Sequence, residues 1–197
     1  MDLLGQWRSE IANGQVRVMF LDECHLLWGD LSGYGWSRRN QRVDVEIKST
    51  RERQTYYGAL DYLTKNFVLH EYSAGNGENT IAFLKYLQSL YAPSTRFIII
   101  WDGASYHRSD EMKAFLSEAN GAAPPEEWVF HCIRLAPNAP EQNPVEDVWL
   151  QGKQLLRKFS RLCKNFKAVK VLFELFLNFQ TFIFPKAFMY GYCSCPI

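Results

Sequence analysis

The chain has almost no net charge: 22 Lys and Arg against 21 Asp and Glu leave +1 over 197 residues. No bulk positive charge draws nucleic acid to it, so any phosphate-binding surface has to come from local clustering. Cysteine is sparse and unpatterned. The five thiols are Cys24, Cys132, Cys163, Cys193 and Cys195, and Cys193-Ser-Cys195 has no second pair at zinc-ligand spacing. Neither a disulfide framework nor a zinc knuckle is expected. The longest apolar stretch, Ala168 to Phe184, is broken by Lys170, Glu174, Asn178 and Gln180. A membrane span needs about 20 mostly apolar residues, so no membrane partner is expected. With no signal peptide read, the expectation is a reduced, cytoplasmic protein. Internal repeats and low-complexity tracts are missing as well. Gly75-Asn-Gly77 is not followed by the Gly-Lys-Ser/Thr of a phosphate loop. Ser105 and His107 come without a Gly-x-Ser-x-Gly elbow, which argues against a serine hydrolase.

What is present is core-forming material. Hydrophobic residues make up 47% of the chain and aromatics 15%, enough for one domain, with an appendage at most. A polar lead with a helical turn ends at Gly14. Val16–Leu21 reads as a strand, and Leu26–Leu31 as a candidate second one before a turn at Gly33-Tyr-Gly35. Val43–Lys48 alternates apolar and charged residues, like a half-exposed strand. Tyr56–Tyr62 and Phe67–Tyr72 add two more, and a helical period runs from Thr80 to Tyr91. Phe97–Trp101 is uninterrupted apolar sequence, as in a strand buried on both faces. Helix signals follow from Ser109 to Asn120, then a strand at Trp128–Leu135. Further helices are expected from Pro144 to about Phe159 and from about Phe166 to Phe184. Strands followed by alternating helices and strands give an α/β class with a mixed central sheet.

Three carboxylates stand out. Asp22 follows the apolar run Val16–Leu21, and Asp102 follows Phe97–Trp101. Asn143 can cap a helix, Pro144 suits its first position, and Glu146 then falls at the third. Acidic side chains brought together from separate elements can hold divalent ions for phosphodiester chemistry. Each also has a plainer reading. An Asp after a strand is a common turn former, and Asn143-Pro-Val-Glu146 is a good helix start in its own right.

The segment Arg134-Leu-Ala-Pro-Asn-Ala-Pro-Glu-Gln-Asn-Pro-Val-Glu146-Asp-Val-Trp149 resembles the stretch that closes the active site of mariner-superfamily DDE transposases of bacterial insertion sequences. Leu21-Asp22-Glu23, Gly33-Tyr-Gly-Trp36 and Trp101-Asp-Gly-Ala-Ser-Tyr-His107 extend the likeness over roughly Val16 to Phe159. The resemblance implies an RNase H-like DDE catalytic domain over residues 1–165, followed by a C-terminal apolar helix and tail over 166–197. It also implies Asp22, Asp102 and Glu146 as catalytic residues and as ligands of two magnesium or manganese ions. The implied activity is DNA strand cleavage and strand transfer at transposon ends, by a bacterial cytoplasmic protein associated with the nucleoid when bound to DNA. Glu23, on the opposite face of a strand from Asp22, and Asp147, about 100° around a helix from Glu146, are excluded from the triad.

Three departures bear on that reading. Gly103 stands where the family has Asn, which removes a side-chain contact beside the second carboxylate. The 43 residues between Asp102 and Glu146 exceed the family's spacing, with the excess assigned to Gly121–Glu127. The chain begins almost at the first catalytic strand, ahead of which the family carries helix-turn-helix modules, so a separately encoded helix-turn-helix subunit is an expected partner. For DNA, Lys153 and Arg157 lie within about 20° of Glu146 on one helix face, and Arg161 extends the stripe. Arg38, Arg39 and Arg42 form a second cluster beyond Trp36, which either stacks on a base or packs in the core. The C-terminal helix is expected to bury Val171, Leu172, Leu175, Phe179 and Phe182, with apolar surface left over for a second copy. Two other functions stay open: an inactive remnant that binds DNA or a partner, and another RNase H-like nuclease.

Overall fold

The first strand runs further than its apolar stretch. β1 (Val16–Leu27) is twelve residues long, because the alternation of faces continues through the charged segment. Val18, Phe20, Cys24 and Leu26 belong to one core cluster, Met19 and Leu21 to the other, and by the same period Asp22 falls on the first face and Glu23 on the second. The separate strand expected over Leu26–Leu31 therefore does not form; Trp28–Leu31 is a 3-10 turn. Asp22 sits within the strand, opposite Gly58.

The computed structural model describes residues 4–31, 37–41, 51–136, 142–179 and 181–182. The strand expected at Val43–Lys48, the turn at Gly33–Gly35, Trp36, Arg42, Cys193 and Cys195 lie outside these residues. After α1 (Arg8–Ala12) and β1 come β2 (Arg53–Asp61), β3 (Phe67–Tyr72), α2 (Gly77–Ser89), β4 (Arg96–Trp101), α3 (Asp110–Asn120), β5 (Phe130–Arg134), α4 (Pro144–Lys158) and α5 (Phe166–Asn178). Four of the helices start on side-chain caps. Asn76, Ser109, Asn143 and Asn165 accept from the amides of Asn79, Met112, Val145 and Ala168, each satisfying a donor left open by helix geometry. Gly121, at φ 56°, ends α3.

The sheet order is β3-β2-β1-β4-β5. β2 is antiparallel to β1 and β3, and β4 is parallel to β1 and β5. One face packs α2 and α3 through Phe83, Leu84, Leu87 and Met112 against Met19, Leu21, Ile99 and Trp101. The other packs α4 and α5 through Val145, Val148, Leu156, Val169, Phe173 and Leu177 against Val18, Phe20, Tyr56 and Ile100. Each such side chain contributes about 1.5–3 kcal/mol when fully buried. This is a mixed five-stranded sheet flanked by helices, an RNase H-like fold.

The face that α5 buries differs from the expected one. Phe166, Val169, Phe173 and Leu177 point inward, while Val171, Leu175 and Phe179 are 46%, 50% and 80% exposed. Of the expected set, Phe182 is buried and Leu172 packs partly. Apolar residues occur all round this helix, so periodicity alone does not select a face. Gly152 of α4 selects it: a Cβ there would lie 2.6 Å from Phe173 Cε2, so the glycine makes the room that Phe173 fills. The helix is also shorter than expected, ending at Asn178. Among the described residues no helix is long and apolar enough to cross a membrane.

Candidate active site

The first two carboxylates stand at the same end of two neighbouring parallel strands. β1 and β4 pair Phe20 with Ile100, so two residues further along each parallel strand stand Asp22 and Asp102. Asp22 shares the parity of Phe20, on the face that α4 covers, and Asp102 is the first residue beyond β4, whose pairing with β1 ends at Ile100. The chain leaves β4 at Asp102 in a turn: its Oδ1 accepts from the Ala104 amide at 2.9 Å.

The third carboxylate is delivered by the start of α4. Asn143 accepts from Val145 N at 3.1 Å through Oδ1 and donates through Nδ2 to Leu21 O at 3.1 Å. A single buried amide thus caps the helix and pins its first turn to β1, one residue before Asp22. Glu146, in that first turn, is solvent-exposed. One turn on, Trp149 Nε1 donates to Asp22 Oδ2 at 3.0 Å.

The electrostatics follow this convergence. Burial, then the charges of Glu146, Glu23 and Asp102, raise the Asp22 carboxyl well above the usual carboxylate range. Asp102 is held low by its hydrogen bond to His107, against a smaller opposing effect of burial. The His107 ring is buried and stacks on Trp101 at 4.2 Å and 6°. Its Nδ1 lies 3.3 Å from Asp102 Oδ1, and its Nε2 lies 3.6 Å from Glu23 Oε1. The second distance is longer than a hydrogen bond, so that contact is charge against charge. His107 thereby links the second aspartate to the far face of β1.

Among the described residues, no three His, Cys, Asp or Glu side chains are gathered tightly enough to hold an ion as they stand. The donor set still fits a hard divalent cation. All three donors are carboxylates, Asp102 and Glu146 are open to solvent, and the repulsion carried by Asp22 is what a cation relieves.

The basic residues are less free than a bare stripe. Lys153 Nζ lies 3.4 Å from Asp30 Oδ2, and Arg157 Nε donates to Asp30 O at 3.3 Å. Both hold the 3-10 turn after β1. Lys153 nonetheless borders the site: burial pushes the Cys24 thiol up to about 12, and the Lys153 ammonium opposes that rise. Arg161 and, elsewhere, Arg38 and Arg39 are exposed; Arg42 lies outside the described residues.

Three side chains that touch these carboxylates or their strand carried no such reading in the sequence. Asn143 was read only as a cap, His107 only as a hydrolase base, and Trp149 only as the end of a motif. For Trp149 a signal existed, since it follows Glu146 at i+3 and shares its helix face. The contact of Asn143 with Leu21 spans 122 positions in sequence and leaves no local trace.

In solved structures the fold matches the Mos1 strand transfer complex with a TM-score of 0.60 and 13% identity, covering 95% of this chain and 52% of that one. The Mos1 mariner paired end complex with Mn gives 0.60 and 14%, covering 90% and 52%. A simian T-cell lymphotropic virus intasome in complex with the PP2A regulatory subunit B56 gamma gives 0.56 and 12%, covering 91% and 56%. The chain spans about half the length of these proteins, and at such identity the likeness is one of fold. None of the curated proteins matches it in sequence. The family model for DDE superfamily endonucleases matches residues 17–170, and the chain belongs to that family.

Proposed function

We propose that this domain cleaves DNA and transfers strands at transposon ends, with Asp22, Asp102 and Glu146 holding two magnesium or manganese ions. The observation that carries the reading is the placement of these carboxylates. One lies on β1, one directly follows its parallel neighbour β4, and the third sits on a helix start pinned to β1 beside the first. The likeness to Mos1 complexes, one of them with Mn, supports it. Divalent ions bound there would supply an activated water and relief of charge on the leaving oxygen. The protein's own part is positional. β1 and β4 fix two carboxylates, Asn143 fixes the helix that carries the third, and His107 orients Asp102.

The duplex runs along the α4 side of the site. Arg161 contacts phosphates there, Lys153 and Arg157 exchange Asp30 for the backbone, and the exposed Arg38 and Arg39 offer a second cluster of charge opposite. Such contacts position DNA without reading its sequence, so recognition of transposon ends is assigned to a helix-turn-helix partner. The outward stripe Val171, Leu175 and Phe179 is the face on which we place a second copy of the chain.

Nicking of supercoiled plasmid tests the reading. It should require magnesium or manganese and fail in calcium, whose geometry is looser. Glu146→Gln should reduce it by orders of magnitude, and Asp147→Asn should leave it nearly unchanged. Equal nicking by Glu146→Gln and the parent would reject the assignment. No nicking by the parent under any metal would favour an inactive DNA- or partner-binding subunit.

A further inference from the structure

Trp149 sits in a built seat beside Asp22. Gly58 is paired with Asp22 across β1 and β2, and a Cβ at Gly58 would stand 2.6 Å from Cη2 and Cζ2 of the indole. Only a residue without a side chain lets the ring lie there. Phe67 closes one edge in a T-shaped contact at 5.1 Å between centroids, and Phe173 stacks on the ring at 6.2 Å and 16°. The indole is buried on these sides, and its one polar atom ends 3.0 Å from Asp22 Oδ2.

An indole N–H donates and never accepts, so it cannot ligate a cation. It can occupy one oxygen of a carboxylate and leave the other. We propose that Trp149 is a positioning residue for the metal site: its N–H holds Asp22 Oδ2 and leaves Oδ1 as the oxygen shared with Asp102 and Glu146. Because Trp149 and Glu146 lie one turn apart on α4, the helix that brings the third carboxylate also sets the orientation of the first. The inference rests on the proposed metal site. Groups that orient a ligand in this way typically contribute about 10–100-fold to metal affinity or activity when removed.

The test is calorimetric titration of Mn2+ into the full chain, with no DNA present. Four proteins are compared: the parent, Glu146→Gln, Trp149→Phe, and a protein in which Trp149 is replaced by 3-benzothienylalanine. The last keeps the bicyclic shape, and so the seat on Gly58, while sulfur takes the place of the N–H. Mn2+ affinity is expected to fall about 10–100-fold in both proteins altered at Trp149, with unchanged far-ultraviolet circular dichroism. It is also expected to fall in Glu146→Gln. If the Phe variant does not fold, the benzothienylalanine protein decides. Parental affinity in that protein would overturn the role of Trp149, and binding that still depended on Glu146 would leave the metal site standing. Failure of the parent itself to bind Mn2+ would overturn both.

Discussion

His107 is enclosed by charge of one sign, with Asp102 at 3.3 Å and Glu23 at 3.6 Å on opposite ring nitrogens. Burial pushes the imidazole down, but the two carboxylates outweigh it and raise the pKa from 6.5 to about 9. A histidine whose folded pKa is raised adds stability that is fully present below its unfolded value. That stability fades as pH rises through the folded value. The difference in melting temperature between the parent and His107→Gln, measured without metal, should therefore be largest near pH 6 and shrink towards pH 9.5. An equal gap at both pH values would show that His107 contributes packing alone. At this scale the sequence was legible where chemistry is local. The cap at Asn143 places Glu146 in the first turn whatever the rest of the fold does. It was silent on the contacts of Trp149 with Asp22 and of His107 with Glu23, whose partners lie on β1, far away in sequence.

Among elements, α4 does the most. Its start is tied to β1 through Asn143, its middle presents Trp149 to Asp22, and its small residue Gly152 admits Phe173 of α5. Glycine in a helix interior ordinarily costs about 1 kcal/mol relative to alanine, so Gly152→Ala would be expected to stabilise an isolated helix. Here the added Cβ would stand 2.6 Å from Phe173 Cε2 and 3.4 Å from Leu177 Cδ2. Overpacking of a filled core costs about 1–3 kcal/mol, which exceeds the gain in propensity. Gly152→Ala should therefore lower the melting temperature, and a rise would mean that α5 is not seated on this glycine. The same contact explains why the buried face of α5 was misread. With apolar residues on every side, the helix takes its face from its neighbour. β1 was misread for a related reason: an apolar run ends at Leu21, but the ladder with β2 continues to Leu27 paired with Arg53. Hydrogen bonds do not stop where hydrophobicity does.

Across the whole molecule, the sheet acts as a frame that brings distant carboxylates to one place. Asp22 and Asp102 are 80 positions apart in sequence, and the parallel pairing of β1 and β4 sets the ends of their strands side by side. Glu146, on α4, comes a further 44 positions on. The α/β class and this order of elements could be read from the sequence, since each helix and most strands carry their own periodic signal. The sheet order could not, because parallel pairing leaves no local mark. We propose that this frame holds a pair of divalent ions. The most direct measurement is anomalous scattering from crystals grown with Mn2+. Two peaks about 3.5–4 Å apart, ligated by Asp22, Asp102 and Glu146, are the expected result. Crystals in which Mn2+ binds elsewhere, with Glu146 turned away from the two aspartates, would contradict it.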